Sequence, residues 1–146
     1  MRIALVVSQY HAFVTDRLEQ GARAALRDAG LQESDVETFA VPGAYEIAQA
    51  ASRVAHSGGW SAVICLGCLI RGETSHFDYI AQAASSGIMH AAQTTGVPMA
   101  FGVLTTNTAE EALARAGDGP GNKGREAALA AIDMARLYER IPGPRS

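Results

Sequence analysis

The chain of 146 residues carries a net charge of −3 at pH 7, with 48% hydrophobic and 18% charged side chains. That balance belongs to a globular chain, excludes extensive disorder, and leaves its scattered basic residues without a nucleic-acid footprint. No apolar run reaches membrane-spanning length and the N-terminus lacks a signal-peptide pattern, so a cytoplasmic single domain over residues 1–146 is expected, with no membrane partner.

Ile3 to Val7 ("IALVV") is a continuous apolar run, as in a strand buried on both faces. Leu18, Ala22, Ala25 or Leu26, and Ala29 then follow helical spacing over Thr15 to Ala29, and Gly30 stands where a helix ends. Val36 to Val41 reads as a second strand stopped by Pro42-Gly43, and Tyr45 to about Ser57 as a helix. Ala62 to Ile70 is the third strand, and Phe77 to about Thr95 a long, Ala-rich helix. Val97 to Leu104 is the fourth strand, where Pro98 is tolerable because a first position can spare its N–H. Thr108-Ala-Glu-Glu111 is a capping box opening a helix that ends near Ala116. "GDGPGNKG" leads into a last helix from about Lys123 to Leu137, and "IPGPRS" reads as a frayed tail.

Four alternations of strand and helix predict a three-layer α/β/α, flavodoxin-like fold: a parallel four-stranded sheet with helices on both faces. In such sheets ligands bind beyond the carboxyl ends of the strands. The polar clusters fall there: Ser8 to His11, Gly43 to Glu46, Arg71 to His76, and Thr105 to Asn107.

Cys65 and Cys68 form C-x-x-C, but zinc needs two further ligands and no His pair lies at finger spacing. Within a strand, residues three apart point to opposite faces, so two separate buried thiols are expected and no disulfide. Gly67 to Gly72 spells G-x-x-x-x-G, yet Glu73 occupies the place of the phosphate-loop lysine. Gly119 to Gly124 spells G-x-G-x-x-G but follows a helix instead of a first strand.

"RGETSH" joins a strand to a helix, so its backbone N–H groups, with the Thr74 and Ser75 hydroxyls, can gather a phosphate. The plainer alternative is that Thr74 or Ser75 only caps the helix. His76 falls in the first helical turn, where the dipole disfavours a cation and a neutral imidazole can accept protons, although taken singly it reads as a surface histidine. Arg71 and Asp78 fit a structural ion pair equally well. Glu46 can complement a helix dipole or accept ligand hydroxyls, and Tyr10 can stack on a planar ligand.

Taken in order, "SQYHAFVT", "VPGAYEIA", "IRGETSHFDY", "GVPMAFGVLTTNT" and "RAG…GNKG" resemble the lumazine synthase family over nearly the whole chain, and "IRGETSHFDY" is a specific signature. The resemblance implies a transferase of riboflavin biosynthesis. It would condense 5-amino-6-(D-ribitylamino)uracil with 3,4-dihydroxy-2-butanone 4-phosphate to 6,7-dimethyl-8-ribityllumazine, releasing phosphate and water, with no cofactor and no metal. It also implies roles for residues. Tyr10 and Phe101 would flank the pyrimidine, and Cys68, Leu69 and Ile70 would lie along it. Ala44, Tyr45 and Glu46 would hold the ribityl chain. Glu73 and Thr74 would hold the phosphate with Arg115, Lys123 would stand near the ring carbonyl, and His76 would transfer protons.

The departures are mild: the family often has Phe at Tyr45 and Pro at Ala48. The chain begins almost directly at its first core strand, whereas many relatives carry an extra N-terminal strand that joins a neighbour's sheet. A cyclic homopentamer, or an icosahedral shell of pentamers, with sites between subunits is expected. The alternatives are an archaeal-type riboflavin synthase, which disproportionates lumazine, and a non-catalytic flavin-binding or shell-forming relative.

Overall fold

Six buried residues in succession, Ile3–Ser8, form β1, and an apolar run of that kind is stable only between two covering layers. The computed structural model describes residues 1–141 and Gly143. Most of the "IPGPRS" tail, at Pro142 and residues 144–146, lies outside the described residues. β2 (Val36–Val41), β3 (Ala62–Ile70) and β4 (Met99–Thr106) complete an all-parallel sheet in the order β2-β1-β3-β4. The helices are α1 (Ala12–Asp28), α2 (Ile47–Ser57), α3 (His76–Thr95), α4 (Ala109–Ala114) and α5 (Lys123–Arg140). The three-layer α/β/α, flavodoxin-like architecture expected from the alternation is the one observed.

Alternation along the buried strands divides the interior into two cores. Ile3, Leu5, Ile64, Leu66 and Cys68 face Leu18 and Leu26 of α1 and Ala128 and Ile132 of α5. Ala4, Val6, Val63 and Cys65 face Ile47, Ala51 and Val54 of α2 and Ile88 of α3. Full burial of each large aliphatic side chain contributes about 1.5–3 kcal/mol. Cys65 and Cys68 thus belong to opposite faces, both are free, and burial pushes their thiols up to about 12 and about 11.

On the first face α1 and α5 approach closely. A Cβ on Gly124 would overlap the backbone carbonyl of Leu18, and one on Gly21 would overlap the Asn122 amide. The buried Asn122 side chain caps α5 by accepting from Arg125 N (3.0 Å), and its Nδ2 donates to the carbonyls of Arg17, Ala116 and Gly117. Asn122 and Gly124 of "GNKG" therefore serve helix packing, and neither needs a dinucleotide to account for it.

Several boundaries differ from the expected ones. α1 begins at Ala12, three residues earlier, because His11 takes the N-cap in a left-handed conformation (φ 62°). Ala44–Glu46 form a separate 3-10 turn before α2. β4 begins at Met99 and runs through Thr106, since β3 continues to offer ladder partners up to Ile70. Thr105 and Thr106 thus belong to the strand, not to the loop after it. The capping box is also displaced: Thr108 accepts from Glu111 N (3.1 Å), but the Glu111 carboxylate accepts from Asn107 N (3.1 Å) instead of Thr108 N. α5 runs to Arg140, three residues past the expected end. Among the described residues, no helix is long and apolar enough to cross a membrane.

Candidate active site

The connection from β1 goes outward to β2, and the chain then returns past β1 to β3, so the strand order reverses between β1 and β3. At the carboxyl ends of such neighbouring strands the loops diverge and leave a crevice. Here it is an open cleft of about 880 Å³. Tyr10, Ala44, Tyr45, Glu46, Cys68, Leu69, Ile70, Thr74 and His76 all line it. Sites for small molecules usually measure about 300–1,000 Å³, so a compound ligand fits.

Tyr10 and Tyr45 reach the cleft largely uncovered, 65% and 60% exposed. The Tyr10 ring leans on His11 (centroids 4.5 Å apart), which in turn meets Phe13 edge-on at 5.8 Å. Partial burial lowers the His11 pKa from its ordinary value. Glu46 closes the 3-10 turn after Pro42-Gly43, and its Oε1 would lie 3.3 Å from a Cβ on Gly43. The glycine therefore leaves this carboxylate room to fold back over the turn.

His76 is the first residue of α3. Ser75, the N-cap residue, makes no side-chain cap, whereas Thr74 Oγ1 accepts from His76 N at 3.3 Å. The capping role weighed for this loop thus falls to Thr74. Arg71 and Asp78 do pair, with Nη1 and Oδ1 3.4 Å apart. The Arg71 guanidinium also lies 4.4 Å from the Phe77 ring centroid, and its Nε donates to Asn107 Oδ1 at 3.3 Å. Glu73 is exposed and does not line the cleft.

Phe101, Arg115 and Lys123 stand apart from this group. They line a second cleft of about 330 Å³ with Glu126, Ala127 and Ala130, along the edge strand β4. Phe101 is 48% exposed there. Lys123 N donates to the Arg115 carbonyl (2.9 Å), so the two cationic residues share one support, and Lys123 Nζ pairs with Glu126 at 3.0 Å. Arg115 Nη1 rests on the Glu111 carbonyl at 3.3 Å.

The first cleft also holds His11, Phe77, Tyr79 and Ile80, none of which was singled out from the sequence. For Tyr79 a signal existed. It lies three residues after His76 on the same helix face, where i and i+3 side chains are neighbours. His11 closes the polar cluster after β1, but nothing marked it as a cap, because a left-handed N-cap is ordinarily a matter for Gly or Asn. Among the described residues, no three His, Cys, Asp or Glu side chains gather to hold a metal ion.

An open parallel sheet with a roomy aromatic and carboxylate cleft at its switch point defines a small-molecule-binding α/β protein. More particularly, the chain belongs to the 6,7-dimethyl-8-ribityllumazine synthase family, whose model matches residues 1–139. Membership supports a role in riboflavin biosynthesis and transferase chemistry on small molecules, in a family that typically assembles into oligomers. Among solved structures, a 4-deoxy-L-threo-5-hexosulose-uronate ketol-isomerase complexed with a tartrate is similar at 12% identity over 99% of this chain and 79% of its own, with a TM-score of 0.41.

Proposed function

We propose that the protein condenses 5-amino-6-(D-ribitylamino)uracil with 3,4-dihydroxy-2-butanone 4-phosphate to give 6,7-dimethyl-8-ribityllumazine, phosphate and water. The observation that carries this reading is the convergence of Tyr10, Glu46, Thr74 and His76 on one cleft in a chain of this family. Tyr10 offers the pyrimidine a stacking face, and Glu46 accepts hydrogen bonds from ribityl hydroxyls. Thr74 and the backbone N–H groups at the start of α3 receive the phosphate.

The amine attacks the ketone and expels water to form an imine. Elimination of phosphate then leaves an enol that tautomerises to a second carbonyl, and attack on it by the ribityl-bearing nitrogen, with loss of a second water, closes the ring. His76, at the cleft wall, accepts and returns protons during these steps, and such catalysis contributes about 10²–10⁴ when fully used. Both substrates are intrinsically reactive, so holding them in contact supplies most of the acceleration.

The Phe101, Arg115 and Lys123 cleft completes the site from a neighbouring copy in a head-to-tail ring, a cyclic pentamer or a shell of pentamers. The open β4 edge with its exposed Phe101 favours such a contact, as do the exposed aromatic rings of the first cleft. The test is a lumazine-formation assay on pure protein in EDTA, followed by absorbance. Product formation is expected at full rate. No product, or activity that returns only with added metal, rules the proposal out.

A further inference from the structure

We propose that Arg71 is a positioning residue for His76, holding the first turn of α3 against the end of the sheet. The inference rests on the proposed catalytic role of His76. Between Ile70, the last residue of β3, and His76, the first of α3, residues 71–75 are all exposed. Among the described residues, nothing hydrogen-bonds to the His76 imidazole, whose only partner is at its backbone N–H. The place of the ring is therefore set by the place of the helix start.

Arg71 joins Thr74, at His76 N, and the packing of Phe77 in holding that start. Its own N–H donates to the Thr106 carbonyl at 2.8 Å, which anchors it to the end of β4. From this anchor its side chain reaches forward across the loop to Asp78 (3.4 Å) and sets its guanidinium over the Phe77 ring, 4.4 Å from the centroid. Sideways, its Nε meets Asn107 Oδ1 at 3.3 Å. Phe77 and Asp78 directly follow His76, so both held points lie within its helical turn. Charge, a cation over an aromatic ring and a directed Nε–H are used together, a combination that lysine does not offer in the same fork.

A pair as exposed as Arg71 and Asp78 contributes little to global stability, so a stabilising role does not explain the arrangement. A geometric role does, because small displacements of an acid–base group from its reacting partner are costly in rate.

A kinetic double-mutant cycle tests this. Arg71→Ala should lower kcat roughly tenfold with less than about a twofold change in KM for the pyrimidine. In a His76→Ala background the same substitution should change kcat less than about twofold, because the group it positions is gone. Arg71→Lys should fall between wild type and alanine, and Asn107→Ala should give a smaller loss in the same direction. Hydrogen exchange over residues 76–80, which does not depend on the reaction, should speed up in Arg71→Ala while the melting temperature stays close to wild type. A wild-type protein that makes no lumazine would sink the proposed reaction and leave the exchange experiment to judge the clamp. Unaltered exchange, an unaltered kcat, or an undiminished loss in the His76→Ala background would overturn the positioning role.

Discussion

His76 and Arg115 line different clefts of the same chain, the first at the β1/β3 switch point and the second along the edge strand β4. Under the proposed reaction, each cleft would supply part of the chemistry that a phosphorylated ketone and a hydroxylated pyrimidine require. The stacking face, the carboxylate and the imidazole are in one, and the two cations and Phe101 are in the other. The proposed ring of copies would join the halves without any change in the fold of the subunit.

Tyr10 offers its ring face largely uncovered, and the nearest aromatic partner, His11, leans on it. Tyr10→Ala should weaken pyrimidine binding by about 1–3 kcal/mol, and Tyr10→Phe should cost little. Titration calorimetry with the ribitylaminouracil reads this directly. Equal losses for Phe and Ala would assign the effect to the hydroxyl and remove the stacking account.

Burial lowers the His11 pKa below its ordinary 6.5. The unfolded chain then binds more protons than the folded one as pH falls through that value, so the sign is fixed. The His11 contribution to stability is complete above 6.5 and declines as the solution is acidified toward the folded pKa. Asn tolerates the left-handed backbone at this position, so His11→Asn should keep the fold and flatten the decline. Urea midpoints measured between about pH 7.5 and 5.5 give the comparison, and identical slopes in the two proteins would contradict it.

Gly124 has the backbone of Leu18 where a Cβ would go. Gly124→Ala should therefore destabilise by about 1–3 kcal/mol, even though alanine is the better helix former. Urea unfolding decides it: an unchanged or raised midpoint would mean that α1 and α5 part without cost.

The strands were legible because buried parallel strands are apolar without interruption, as in Ile3–Ser8 and Ala62–Ile70. What stayed hidden was set by partners distant in sequence. Thr105 and Thr106 look like loop, yet they pair with Leu69 and Ile70 and so extend β4. The start of α1 was obscured by His11, a cap without the usual side-chain chemistry. The first cleft could be placed from the chain's order of strands and polar loops. The membership of Ile80 could not, because it depends on how α3 lies against the 3-10 turn at Ala44–Glu46.

The separation of His76 from Arg115 makes subunit mixing the sharpest test. His76→Ala and Arg115→Ala chains would be unfolded together, reassembled, and assayed for lumazine formation, with subunit exchange confirmed by mass. If each site draws its imidazole from one chain and its guanidinium from the next, random equal mixing restores both groups in roughly a quarter of the sites. Activity should rise well above that of either variant reassembled alone. Hybrids that form and show no gain would place the whole site within one chain and contradict the shared arrangement.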